Sequence, residues 1–209
     1  MGCDIHVMVE VTKASWDGIW RNVDNWRVNP YYGQFESEPE MQVVPVYHRR
    51  DYELFSFLAD VRNYGNNPSF GFDRGIPIDA SGHTIREYES WGDDAHTPGY
   101  CTLKELKQAA ASVKAVRREG AVAIEEAEKF RSTGETPTGW AQGVGCWRGI
   151  AADYLDRYEW LVWEDEVHCF DGLISAVDER KRDVFYIFDP ADDDGRFDDY
   201  IRIIFWFDN

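Results

Sequence analysis

A chain of 209 residues, 44% hydrophobic and carrying 9 Trp, 11 Tyr and 12 Phe, has enough apolar bulk for one sizeable core, which excludes a disordered chain. Its 39 acidic against 22 basic side chains give a net charge of −17, which argues against gripping nucleic-acid phosphates and favours cations or a basic protein partner. No apolar run reaches the roughly 20 residues of a membrane span, no basic-then-apolar leader opens the chain, and Cys3, Cys101, Cys146 and Cys169 lack the close pairing of zinc fingers. The expectation is a single cytoplasmic domain over residues 1–209 with free thiols.

The first eleven residues alternate with period two. Cys3, Ile5, Val7, Val9 and Val11 make an apolar face, and Asp4, His6, Met8 and Glu10 make the other. Same-face neighbours in a strand lie roughly 6.5–7 Å apart, so Asp4 and His6 can share a small ligand or metal ion. Glu10, two steps further, is placed to orient a ligand or accept a proton. Asp17-Gly18 marks a hairpin turn into a neighbouring strand within 19–28. Residues 42–47 are extended, with Pro45 favouring an edge. Asp51 opens a helix whose Leu54, Phe55, Leu58 and Val61 form a stripe. Residues 63–85 form a long loop that Phe70, Phe72, Ile76 and Ile78 hold packed.

Thr102 and Glu105 form a capping box, which predicts a helix over 103–117. Gly120 breaks it, and a second helical run follows over 121–130. Residues 132–145 read as a loop, 147–163 as an aromatic helix, 164–182 as holding another helix and 184–188 as a short strand. The final strand, 201–207, puts Ile201, Ile203, Phe205 and Phe207 on one face. Strands, then helices, then strands give an α+β fold: one domain with a mixed or mainly antiparallel sheet packed against several helices.

Asp94 and His96, in the Trp91–Thr97 cluster, repeat the spacing of Asp4 and His6. Together the two pairs offer four oxygen and nitrogen ligands for a divalent transition metal such as Zn, Mn or Fe. With an open position such an ion activates water. Trp91 is the aromatic contact for the same ligand, and Arg50 or Arg62 meets its anionic group. Each pair also has an ordinary reading: a wet strand face for the first, a loop held by local hydrogen bonds for the second. Convergence of the two decides between them. The aspartates of 189–199 miss an EF-hand register, since Gly195 at position six puts Pro190 at position one and Ile201 at position twelve. A solvated charged loop is expected there. Gly143-Val144-Gly145-Cys146 offers a weak thiol motif, to be paired with His168 or His83. No phosphate loop, dinucleotide fingerprint or nucleophile elbow is present.

Several landmarks run from end to end: Met1-Gly-Cys-Asp-Ile-His6 with Glu10, Arg50-Asp-Tyr-Glu-Leu-Phe55, Leu58-Ala-Asp-Val-Arg62, Arg74-Gly-Ile-Pro77, Trp91-Gly-Asp-Asp-Ala-His96, Thr102-Leu-Lys-Glu-Leu106 and Ile201-Arg-Ile-Ile-Phe-Trp-Phe-Asp-Asn209. With them the chain resembles a family of phage-encoded proteins marked by the N-terminal MGCDIH motif and a C-terminal RIxFWFDN-like strand. The resemblance implies a phage gene product acting in the host cytoplasm and brings no activity with it. Against it, residues 183–199 look like an acidic insertion before the last strand. The leading expectation is a phage accessory protein with a polar site that binds, or hydrolyses with a metal ion, a small anionic, nucleotide-like molecule. The rival is a non-enzymatic acidic inhibitor that engages a basic host protein, as a nucleic-acid mimic does.

Overall fold

The computed structural model describes residues 2–16, 18–34, 39–138, 140–142 and 156–208. The strands among them are β1 (Ile5–Val11), β2 (Arg21–Asn22), β3 (Asn25–Val28), β4 (Met41–Val44), β5 (His96–Thr102), β6 (Ala115–Ala123), β7 (Trp140–Gln142), β8 (Tyr158–Glu166) and β9 (Ile201–Phe207). The helices are α1 (Tyr52–Ala59), α2 (Gly82–Ser90), α3 (Leu103–Ser112), α4 (Ile124–Thr133) and α5 (Asp171–Phe185). None of these helices is long and apolar enough to cross a membrane.

The central sheet is antiparallel in the order β2-β1-β9-β5. Every residue of β9 is buried. Its odd-numbered side chains, Ile201, Ile203, Phe205 and Phe207, meet Leu54, Phe55 and Leu58 of α1, Leu106 of α3 and Leu173 of α5 in the main core. On the other face Ile204 and Trp206 pack with Met8, and Trp26, Val43, Tyr88 and Trp91 close over them. A strand covered on both faces needs apolar residues at successive positions, and the run Ile203–Phe207 supplies them. The alternation over 201–207 predicts one buried face, and the structure buries the second as well. The fold class is α+β, with mainly antiparallel pairing, as expected.

Two smaller sheets complete the fold: the hairpin β3-β4, and β7-β6-β8 with α4 against it. The second corrects two expected helices. Helix α3 starts at its capping box but stops at Ser112, and the chain is extended from Val113. In β6, Val116 and Arg118 turn inward while Arg117 and Glu119 face out, a two-residue period. In β8, Leu161 and Trp163 are buried between exposed Val162 and Glu164, where a helix was expected to run to 163. Helix α5 extends through Val184 and Phe185, so the short strand expected over 184–188 does not form, and Tyr186 ends the helix in the left-handed conformation. The expected helix start at 147, the Gly143–Cys146 motif and Asp17 of the hairpin turn lie outside the described residues. Cys3, Cys101 and Cys169 are buried free thiols.

The 63–80 segment is anchored to β5. Tyr100 N–H donates to Phe72 O at 2.9 Å and Gly75 N–H to Pro98 O at 3.0 Å. Gly99 makes this crossing possible, because a Cβ there would lie 2.2 Å from Phe72 O and 2.7 Å from Phe205 Cζ. The acidic 189–199 segment is tied down as well. Buried Lys181 of α5 donates to Asp198 at 2.6 Å and lies 2.6 Å from Asp193 and 3.0 Å from Asp178. Lys107 of α3 bridges Asp178 and Asp198 at 2.8 and 3.1 Å. The expected solvated loop is therefore docked by ion pairs.

Asp24, between β2 and β3, accepts from Val9 N–H at 2.9 Å and from the Asn22 amide at 2.6 Å. Its other carboxylate oxygen is buried without a partner. Burial pushes this carboxyl up to about 6 from an ordinary 3.8, despite the Val9 and Asn22 hydrogen bonds. A folded pKa above the unfolded one means that Asp24 contributes most below pH 3.8 and that its contribution is lost as pH rises through about 6. Asp24→Asn is therefore expected to raise stability at pH 7 by an amount on the order of 2 kcal/mol. Denaturant titrations at pH 7 and pH 4 check this: the advantage of the variant should vanish at the lower pH.

Candidate functional site

The residues singled out in the sequence gather mainly at one end of the central sheet, where β1 and β5 begin and β9 finishes. They do not form one site. His6 pairs across β1-β9 with Trp206, and His96 pairs across β9-β5 with Phe207. Adjacent residues of a strand point to opposite faces. His6 accordingly stacks beside Trp206 at 5.6 Å, while His96 stacks on Phe207 at 6.0 Å on the other side. Asp94 is exposed in a short 3-10 turn, Gly92–Asp94. The expected four-ligand metal centre of Asp4, His6, Asp94 and His96 does not assemble. Among the described residues no group of three or more His, Cys, Asp or Glu side chains is placed to hold a metal ion.

Glu10 also requires correction. It is fully buried. One carboxylate oxygen accepts from Ser81 N–H at 2.8 Å and Thr84 Oγ1 at 2.6 Å, and the other accepts from Arg202 Nη2 at 2.7 Å and Nε at 3.0 Å. Arg202 continues to Asp79 at 2.7 Å and lies over the Trp20 ring at 4.2 Å. All four strong acceptor directions are used, so Glu10 anchors the start of α2 to the sheet and has no lone pair left for a ligand.

On the His6 face the arrangement is different. Asp208 accepts from Asp4 N–H at 2.9 Å with one oxygen and lies 3.1 Å from His6 Nε2 with the other. A carboxylate only accepts, so it holds the proton on Nε2 and leaves the lone pair on Nδ1. No described residue hydrogen-bonds Nδ1. Trp91 and Trp206 flank the ring at 3.9 and 5.6 Å. Asp4 is occupied by Arg50, which donates two hydrogen bonds of 2.7 and 2.5 Å. That guanidinium holds the Asp4 carboxyl below its usual range. Arg50 thus reaches the sheet end as one half of a half-exposed ion pair.

His6 lines a cavity of about 270 Å³ together with Asp4, His48, Glu87, Val43 and Trp206. Glu87 also borders a neighbouring cavity of about 450 Å³, walled by Trp26, Met41, His83 and Arg86. The two form a cleft between α2 and the β3-β4 hairpin. Burial pushes the Glu87 carboxyl up, and His6 and a hydrogen bond from Trp91 pull it back only in part. Arg86 is exposed and makes no ion pair among the described residues. Trp26 and His83 meet edge to face at 5.9 Å. Glu87, Arg86, Trp26 and Asp208 were not singled out in the sequence. An i,i+4 pattern from His83 to Glu87 was the available signal for the helix members, whereas Asp208 carries none.

On the opposite face, Cys3 Sγ lies 4.0 Å from His96 Nε2, and His96 Nδ1 lies 3.0 Å from Thr97 Oγ1. Thr97 has φ +48°, a strained value for a β-branched residue, and the β5 register shifts between His96 and Gly99. Arg62, also left-handed at φ +51°, hydrogen-bonds Cys3. Burial nevertheless raises the Cys3 thiol above its ordinary value, and no solvent reaches it. This cluster is a packed thiol–imidazole contact. Arg62 therefore serves Cys3 and does not line the His6 cleft.

Comparison of the chain with family models, with curated proteins and with solved structures finds no match.

Proposed function

We propose that the cleft between α2 and the β3-β4 hairpin binds a small anionic, nucleotide-like molecule and hydrolyses it by proton transfer. The observation that carries this reading is the Asp208–His6 pair, which leaves His6 Nδ1 as a base in a cleft that also contains Glu87. His6 Nδ1 is placed as the general base, and Glu87, whose carboxyl burial pushes up, as the general acid. Arg86 meets the anionic group, and Trp26 with His83 offers an aromatic wall for a base. In this reading the sequence resemblance makes the chain a phage accessory protein that removes a host signalling nucleotide in the cytoplasm.

The test uses nucleoside mono- and triphosphates and cyclic dinucleotides as probes, with Trp fluorescence for binding and chromatography for products. Saturable binding by at least one probe and turnover are expected. His6→Asn should lower kcat about 10²–10⁴-fold while leaving binding within a few-fold. Arg86→Ala should instead raise KM. Failure of every probe to bind, or undiminished turnover by His6→Asn, overturns the reading.

A second reading rests on charge. Glu119, Glu164 and Glu166 are exposed on the outer face of the β6-β8 sheet, in a chain of net charge −17. Such a surface suits a basic host protein. Capture of a basic partner at low salt, lost at high salt and indifferent to His6→Asn, favours this reading over the first.

A further inference from the structure

Few charges line the His6 cleft, and they limit what it can hold. Asp4, at the inner cavity, is neutralised by Arg50, whose two hydrogen bonds of 2.7 and 2.5 Å commit that guanidinium to it. Asp208 has one oxygen on Asp4 N–H and the other on His6 Nε2. Glu87 borders both cavities. Among the described residues that line them, Arg86 is the one Lys or Arg side chain, and it is exposed and makes no ion pair. The cleft thus offers a single guanidinium, in a chain of net charge −17.

One guanidinium balances one negative charge. A phosphodiester carries one charge per phosphate. A phosphomonoester, with a second pKa near 6, carries nearly two at neutral pH, and a triphosphate carries more. A surplus charge has no partner here and lies in the field of Glu87, Asp208 and the chain as a whole. At a separation of about 6 Å and an effective dielectric of about 40, between water and a protein surface, each like-charge contact weakens binding about tenfold. We infer that the ligand of this cleft is a singly charged nucleoside phosphodiester, a cyclic mononucleotide or a dinucleoside monophosphate. This rests on the reading of the cleft as a nucleotide hydrolase site and narrows it.

In the reaction His6 Nδ1 takes a proton from water, and the water oxygen bonds to phosphorus. The P–O bond to the leaving alcohol breaks, and Glu87 gives that oxygen its proton. The proton on His6 then returns to the Glu87 carboxylate through solvent. The product is a monoester, which loses a second proton and gains the charge that Arg86 does not balance. The limit that selects the substrate also expels the product.

The test uses cyclic mononucleotides and 3′,5′-linked dinucleoside monophosphates of the four common RNA bases, with the matching mono- and triphosphates. Calorimetry at pH 8 in EDTA, where no divalent cation offsets phosphate charge, reads binding; chromatography between pH 5 and 8 reads turnover. At least one diester should bind and be hydrolysed, its monophosphate product should bind about tenfold more weakly, and the triphosphate more weakly still. Arg86→Gln should weaken the diester about tenfold. Glu87→Gln, which removes the carboxylate shared by the two cavities, should narrow the gap between diester and monophosphate. Circular dichroism confirms that both variants are folded. Equal or tighter binding of the monophosphate or triphosphate overturns the inference and leaves a hydrolytic reading standing. Preferred binding of a diester without turnover of any probe removes the hydrolysis and leaves the ligand class standing. Failure of every probe to bind overturns both.

Discussion

Arg202→Met is expected to cost about 3–5 kcal/mol of folding free energy, the penalty for leaving a buried charge without its partner. Glu10 is fully buried, and Arg202, 4% exposed, provides both hydrogen bonds to one of its oxygens. The variant keeps the volume of the side chain and removes the charge. Glu10 must then remain ionised in an apolar place or take up a proton. Restoring neutrality separates this from a packing defect: Glu10→Gln combined with Arg202→Met keeps an acceptor for Ser81 N–H and Thr84 Oγ1, and should recover at least half the loss. Urea denaturation of the two single variants and the double variant measures the coupling. A loss below about 1 kcal/mol for Arg202→Met would show that solvent reaches Glu10 after all.

Lys181→Met carries the second large effect. Three carboxylates, Asp178, Asp193 and Asp198, surround this ammonium within 3.0 Å, and all three are mostly buried. Burial pulls the Lys181 pKa down, but its hydrogen bonds to Asp193, Asp198 and Asp178 prevail and leave it raised. Without Lys181 the carboxylates repel one another, and Lys107 pairs directly with Asp178 and Asp198 but acts on Asp193 only through space. The expected loss is about 3 kcal/mol, the low end for a broken buried ion pair. Faster proteolysis within 189–199 should accompany it. The pH dependence has a definite sign. Burial raises the Asp193 carboxyl, yet Lys181 and the Gly195 N–H hold it below 3.8. A depressed folded pKa contributes stability above the unfolded value and loses it as pH falls through the folded one. The gap between wild type and Lys181→Met should therefore narrow below about pH 4. For Lys181 itself, with a raised pKa, the contribution persists to pH 10.5 and is lost only above it.

Local chemistry was legible in the sequence wherever a structure depends on neighbours a few residues apart. The Thr102–Glu105 capping box and the Asp51 N-cap are found as expected, because both partners lie within one helical turn. Lys114 to Gly120 was harder. Arg117, Arg118 and Glu119 are compatible with a helix, and the preference for a strand comes from pairing with 158–166, some forty residues away. The site was readable only as a set of residue types. Asp4 and His6 do stand at a cleft, but the partner that orients His6 is Asp208, from the other end of the chain. The spacing predicts that Glu10 orients a ligand or accepts a proton, whereas Arg202, equally remote in sequence, takes up its carboxylate. The metal centre failed on parity. Whether His6 and His96 share a face depends on a strand between them, β9, and on which of its residues each histidine opposes. No spacing within either Asp-x-His pair contains that information.

The central place of β9 also fixes an order of events during synthesis. Ile5 must wait for Phe207, and Cys101 for Ile203, before either finds its backbone partner. At roughly 5–20 residues per second, the nascent chain carries β1 for about 10–40 s with the edge meant for β9 unpaired. Residues of both its faces, such as Val7 and Met8, are destined for the interior and are wet throughout. Unpaired apolar strands are templates for the wrong neighbour. Translation interrupted anywhere before residue 201 would release a chain with a gap in the middle of its sheet, and such fragments should be found with chaperones or in aggregates.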